Sequence, residues 1–225
     1  MIAALFDCDG TLYTGRFGMG VLTYVSKHGR QMQARLMYLS LIPATFLYRL
    51  KLISGTEYDR MIMQGVASLL KGYSAAQVKA TFEWLVPDFL FPTLRSETVE
   101  MIKDHQKQGH KVLLVSGAFQ GALDVMVRLL GLDGGIGTGL EMNNEACTGK
   151  IASPLVKDEY KAILTREFCA SHNWNINWAA SYACADSISD RQMLEMVGHV
   201  VVVYPDSKLH ALAQANQWQV LGTPR

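Results

Sequence analysis

The sequence predicts an α/β fold: a doubly wound, Rossmann-like parallel sheet with a helical cap inserted after the first strand. Three observations lead there. Short, near-continuous apolar runs recur along the chain, as in strands covered on both faces. From about residue 95 onward they alternate with segments of helical period. Residues 15–92, between the first two runs, carry helical signals and no clear strand, and are too long for a simple connection. The expected organisation is a core of residues 1–14 and 93–225 and a cap of residues 15–92.

The elements follow in order. Ile2–Phe6 is an apolar run that stops at Asp7-Cys8-Asp9-Gly10-Thr11, a strand feeding a loop. Within the insertion, Leu36–Tyr48 is uncharged but shorter than the roughly 18–20 residues of a spanning helix. Arg35, Arg49 and Lys51 flank it and Pro43 interrupts it, so it is expected to be a helical packing surface, not a transmembrane span. The aromatic and apolar cap residues Phe17, Tyr24, Met37, Tyr38, Phe46 and Tyr48 are likewise read as packing. Ser74-Ala75-Ala76-Gln77 forms a capping box for a helix carrying Val78, Phe82 and Leu85. Pro87 and Pro92 punctuate the return.

Arg95–Gln108 has a helical face at Val99 and Ile102, with Gly109 to end it. Lys111–Val115 reads as a strand ending in Ser116-Gly117. Gln120–Leu130 is a helix followed by Gly131. Leu155–Ser171 and Asp190–Val197 read as helices. Trp178–Ala185 is a strand ending in Asp186, and Val200–Tyr204 one ending in Pro205-Asp206.

Composition narrows the function classes. Hydrophobic residues are 49% of 225 and charged residues 18%, which excludes a disordered chain. The net charge of +1, from 21 basic and 20 acidic residues, argues against a nucleic-acid partner. Cys8, Cys147, Cys169 and Cys184 lack zinc-ligand spacing. With no charged-then-apolar leader before Asp7, free thiols in a reducing cytoplasm are expected. No sequence pattern specifies an oligomeric state.

The chemistry lies where the strands end. Open parallel sheets bind ligands beyond their carboxyl edge, and three strands deliver Asp7, Ser116 and Asp186 to that edge. Asp7 and Asp9 are close enough to repel unless a cation intervenes. With Asp186 and Asp190 they form a set of hard oxygen donors suited to Mg²⁺. A carboxylate can attack phosphorus, and a second carboxyl can act as acid and then base.

These residues resemble the haloacid dehalogenase superfamily. Asp7-Cys-Asp-Gly-Thr-Leu12 is similar to its first motif, Asp-x-Asp-Gly-Thr. Val112-Leu-Leu-Val-Ser116-Gly117 is similar to the second, Lys161 fits the third, and Ala185-Asp186-Ser-Ile-Ser-Asp190 the acidic fourth. Gly149-Lys-Ile, Pro154, Gly198-His and Pro205-Asp206 resemble the phosphoserine-phosphatase-like branch.

The resemblance implies a phosphatase acting through an aspartyl-phosphate, with Mg²⁺ as cofactor and a small phosphorylated metabolite as substrate. Asp7 would be nucleophile and metal ligand. Asp9 would be acid and then base, with its backbone carbonyl on the metal. Ser116, Gly117 and Thr11 would hold phosphoryl oxygens, and Lys161 would neutralise the transferring group. Asp186 would complete the metal shell, and Asp190 would orient it or Lys161. Asp9 also separates phosphatases from dehalogenases and transport ATPases, which lack an acid there.

Phosphoserine phosphatases carry a glutamate shortly after the first motif to meet the substrate's ammonium. Here Arg16 occupies that place, where a cation attracts an anionic group instead.

Several residues have a second reading. Ser116 alone suits a helix N-cap, and Lys157 lies one turn from Lys161. Asp190-Arg191 suits a surface pair. Cys8 is expected to be a buried, inert thiol, and His110 and His199 to be structural. Beside the soluble phosphatase stand two alternatives. One is a peripheral membrane phosphatase acting on a lipid or isoprenoid phosphate, with membrane contact through Leu36–Tyr48. The other is a non-catalytic binding module.

Overall fold

The computed structural model describes residues 1–144, 146–152 and 154–224. After β1 (Ala3–Phe6) the chain makes five helices: α1 (Phe17–Lys27), α2 (Gln31–Ser40), α3 (Ile42–Arg49), α4 (Gly55–Leu69) and α5 (Ala75–Leu85). Then come α6 (Ser96–Lys107), β2 (Lys111–Phe119), α7 (Gln120–Leu130) and β3 (Gly134–Thr138). A hairpin of β4 (Leu140–Asn143) and β5 (Ala146–Ile151) precedes α8 (Glu159–Ser171) and β6 (Tyr182–Ala185). The chain ends with α9 (Arg191–Glu195), β7 (His199–Val203), α10 (Ser207–Ala215) and β8 (Gln219–Leu221).

The main sheet has the order β3-β2-β1-β6-β7-β8, with every pair parallel. From β1 the chain winds one way through β2 and β3, and from β6 the other way through β7 and β8. The reversal lies between β1 and β6, where open α/β sheets form their ligand crevice. Alternation along β1 explains its unbroken apolar run. Ala4 and Phe6 join the core that α6 and α7 cover, through Ile102, Leu123 and Met126. Ala3 and Leu5 join the opposite core beneath α8–α10, with Cys169, Leu194 and Leu209. Both faces are apolar because both are covered.

Residues 15–92 contain no strand, as their pattern predicts. Phe17, Val21 and Val25 of α1 join the same core cluster as Ala34, Met37, Leu69, Phe82 and Leu85 of the neighbouring helices. The Ser74–Gln77 capping box is present in both directions, at 2.9 and 3.3 Å. A π-helical turn at Val86–Leu90 and a 3-10 turn at Phe91–Thr93 close the segment around the two prolines. Entry and exit run side by side: Thr14 N donates to Thr93 O and Arg95 N to Leu12 O, each at 2.9 Å.

Leu36–Tyr48 departs from expectation. It is helical, yet only Met37 and Ala44 in it are buried; Leu36, Tyr38, Leu39, Ile42, Phe46 and Tyr48 are exposed. The packing role falls to one narrow face, because α2 and α3 lie at the outside of the helical group. No described helix is long and apolar enough to cross a membrane.

Other boundaries also shift. Trp178–Ala180 forms a 3-10 turn, and the strand begins at Tyr182. Asn177 Oδ1 accepts from Ala180 N, and Ser181 Oγ donates to Asn177 O, a local alternative to the ladder. The helix expected from Leu155 starts at Glu159, after Asp158 adopts φ 49°. That takes Lys157 off the helix of Lys161. The helix expected over Asp190–Val197 spans Arg191–Glu195 only.

Candidate active site

Asp7, the residue following β1, donates its N–H to Cys184 O of β6 at 3.0 Å, which holds the loop start in register with the sheet. Asp186 follows the end of β6 and Ser116 lies in the widened end of β2, so three distant segments converge as expected. Lys161, in the first turn of α8, is the joint between them. Its Nζ lies 2.6 Å from Asp7 Oδ1 and 2.5 Å from Asp190 Oδ1, with all three residues buried.

The contacts of the two lysines differ, as do those of Asp190 and Arg191. Lys161 faces the site, whereas Lys157 pairs with Asp59 of α4. Asp190 faces Lys161, whereas Arg191 pairs with Glu195 along its own helix.

The electrostatics are unbalanced. Burial would depress the Lys161 pKa, but Asp190 and Asp7 outweigh it and hold the ammonium more firmly charged than usual. Burial pushes Asp190 upward against the opposing charge of Lys161. Oxygens of Asp7, Asp186 and Asp190 lie within 4.8 Å of one another. One ammonium cannot neutralise three buried carboxylates, so the donor set fits a divalent cation.

The Asp9 side chain stands apart from this cluster and points toward the inserted helices, accepting from Phe17 N at 3.1 Å. Desolvation of the carboxyl, followed by the charge of Asp7, raises its pKa to about 6. Asp9 nevertheless keeps a solvent-exposed face, so water reaches it. A carboxyl that ionises near neutrality and meets water suits proton transfer in both directions. Burial, then the charge of Asp9, drives the Tyr13 phenol well above its usual range.

Thr11 is fully buried, and its hydroxyl donates to Asp186 Oδ1 at 3.0 Å, a contact that orients the carboxylate. Ser116 is not a helix N-cap, since α7 begins at Gln120; its Oγ instead accepts from Ala118 N at 3.2 Å. Gly117 is partly exposed at the same turn, and a side chain there would approach Val156 O. Arg16 is exposed at the N-cap of α1, immediately before Phe17. Cys8 is buried and its thiol is pushed well above the usual range, first by burial and then by Asp7, an inert group as expected.

Two supports carry no assigned role in the sequence reading. Asp206 Oδ2 accepts from Ile188 N at 2.8 Å, and its N–H donates to Asp186 O at 2.9 Å, fixing the loop between Asp186 and Asp190. The signal was available, since Asp206 follows a strand end as Asp7 and Asp186 do. The second support joins the inserted helices to the core. Thr56 Oγ1 donates to Asp158 Oδ2 at 2.6 Å beside the Asp59–Lys157 ion pair. Polar residues this far apart carry no pairing signal in one sequence.

The family profile of haloacid dehalogenase-like hydrolases matches residues 4–195, from β1 through the end of α9. The chain belongs to this family. Within it, the chain is 31% identical over 176 residues to a probable phosphatase of Mycobacterium tuberculosis, covering 77% of this chain and 60% of that protein. It is 26% identical over 224 residues to a phosphoserine phosphatase of the same organism, covering 97% and 70%. The chain thus spans about three fifths of the first of these relatives.

Solved structures agree on the fold. A Bordetella pertussis protein of unknown function superposes with a TM-score of 0.82 at 23% identity, covering 99% of both chains. A substrate-bound phosphoserine phosphatase superposes with a TM-score of 0.66 at 18% identity, covering 98% of this chain and 92% of that one. The fold shared with these structures therefore extends to β7, α10 and β8, beyond the profile match.

Proposed function

We propose that this chain is a Mg²⁺-dependent phosphatase that hydrolyses a small phosphomonoester through an aspartyl-phosphate on Asp7. The observation that carries this reading is the division of labour between two carboxylates two residues apart. Asp7 is buried against Lys161 and aimed into the acidic cluster, and Asp9 sits outside it with a raised pKa and access to water.

In this reading Asp7 attacks phosphorus while Asp9 gives its proton to the departing alcohol oxygen. Asp9, now ionised, takes a proton from the water that hydrolyses the aspartyl-phosphate. Lys161 holds Asp7 in place and offsets charge on the transferring group, and Ser116 with the amide of Gly117 meets its oxygens. Asp7, Asp186 and the backbone carbonyl of Asp9 would hold Mg²⁺, with Asp190 positioning Lys161. The ion supplies charge neutralisation for the phosphate dianion and for the crowded carboxylates.

Residues 15–92 serve as a cap over this edge, hinged where Thr14 meets Thr93. Four unpaired, buried cysteines are consistent with a reducing cytoplasm. Relatives named as phosphatases support the reaction class, and Arg16 favours a substrate with a further anionic group over phosphoserine. The intact Asp7, Asp9, Lys161 and Asp186 oppose a non-catalytic module.

The test is hydrolysis of an aryl phosphate with Mg²⁺, with chelator, and by Asp7→Asn. Activity should vanish in the last two while the variant keeps its circular dichroism spectrum. Substantial turnover by Asp7→Asn would remove Asp7 as nucleophile. Full activity without metal would remove Mg²⁺ from the scheme.

A further inference from the structure

We infer that the adjoining helices α2 and α3 are a docking surface for an anionic lipid bilayer. The inference is independent of the hydrolytic reading, because none of the residues involved belongs to the acidic site.

Two apolar ridges face outward. On α2, Met32, Leu36 and Leu39 recur at helical spacing and are 56–63% exposed. On α3 and its C-cap, Ile42, Phe46 and Leu50 do the same at 52–62%. Tyr38, Tyr48 and Leu52 extend the patch, and Tyr48 is braced by stacking on Tyr58 at 4.6 Å. An apolar surface concentrated on two adjoining short helices is not the scatter normal on a soluble protein.

Charge identifies the occupant. Between Phe17 and Thr56 the sequence holds no acidic residue, but it holds Lys27, Arg30, Arg35, Arg49 and Lys51. Arg35, Arg49 and Lys51 are exposed beside the ridges. On the adjoining α4, Asp59 is already paired with Lys157, and Glu57 stands exposed in the first turn. A groove of about 490 Å³ between α1 and α2, with Leu22, Ala34 and Leu39 in its walls, also carries Arg35 and Tyr38.

Apolar ridges flanked by cations match the layered chemistry of an anionic leaflet, with acyl chains beneath phosphates. Aromatic rings of mixed character suit the boundary between the two. A second copy fits worse, because it would set the same arginines and lysine against each other. The helices are too short to span, so α2 and α3 lie in the interface.

Co-sedimentation with vesicles tests this. The protein should bind vesicles of phosphatidylcholine mixed with phosphatidylglycerol, bind pure phosphatidylcholine weakly, and release with added salt. Leu36→Ser with Phe46→Ser, and separately Arg35→Glu with Arg49→Glu, should each weaken binding about tenfold or more. Both should retain wild-type circular dichroism and hydrolysis of a soluble aryl phosphate. Failure of the wild type to bind the anionic vesicles, or equal binding by the variants, overturns the proposal. So does sedimentation velocity showing a dimer that the serine variant dissociates, with no vesicle binding.

Discussion

Lys161 and Asp7 lie 154 residues apart in sequence and 2.6 Å apart in space, both buried at the carboxyl edge of the sheet. Removing one member of such a pair leaves the other charge uncompensated, a loss of about 3–5 kcal/mol in comparable buried pairs. Lys161→Met should therefore lower stability on that scale in urea denaturation and also abolish turnover. Stability near wild type would show that solvent or the neighbouring groups already compensate Asp7.

Much of this arrangement was legible in the sequence. Asp7, Ser116 and Asp186 end apolar runs, and strand ends in a parallel sheet share one edge whatever the strand order. The Ser74–Gln77 box was legible because capping chemistry is local. What escaped was not local. The strand β3, Gly134–Thr138, is glycine-rich, with Ile136 as its one large apolar residue. Its Gly137 is needed because a side chain would meet Ala118 O and Gln120 Cα at 2.9 Å, across the end of the neighbouring strand. The contact of the Thr11 hydroxyl with Asp186 escaped because the motif gives a position, and only the folded chain shows the partner. The exposure of Leu36–Tyr48 was hidden because an apolar helix reads alike whether it packs inward or faces out.

The contacts of Asp59 with Lys157 and of Thr56 with Asp158 fasten the start of α4 to the segment leading into Lys161. The Asp59–Lys157 pair is partly exposed, so its loss should change stability by less than about 1 kcal/mol. Asp59→Asn with Thr56→Val should instead free the local structure. Amide exchange in the first turn of α4 and around residues 156–159 should accelerate while α7 stays protected. Unchanged exchange at α4 would mean that the apolar packing of the inserted helices, not these polar contacts, holds the two parts together.

At the opposite edge of the sheet, His105 Nδ1 lies 2.9 Å from His110 Nδ1, so one ring must carry the proton there and the other accept it. Burial, then the charge of His110, lowers the His105 pKa, while Asp104 opposes the shift. The neutral ring is thus favoured by folding. Its contribution is complete above the unfolded value of about 6.5 and is lost as pH falls through the folded value. The melting temperature should drop between neutral and mildly acidic pH, and His105→Phe should show a shallower drop. Parallel melting curves for the two proteins would assign the acid sensitivity elsewhere.

Arg16 occupies the N-cap of α1, one residue before the amide that binds Asp9, and its side chain is exposed. In the proposed function it meets a substrate group beyond the phosphate. Arg16→Glu replaces a cation with an anion at that point. Catalysis on a substrate bearing a second anionic group should fall through KM, by about tenfold for a charge-assisted contact. A featureless aryl phosphate has nothing to place against residue 16, and its kinetics should change little. Phosphoserine, whose ammonium the arginine repels, should improve. Kinetics on the three substrates separate this role from a general one. Equal effects on all three would mean that the substitution disturbs Asp9 through α1, and no effect on any would mean that Arg16 points only to solvent.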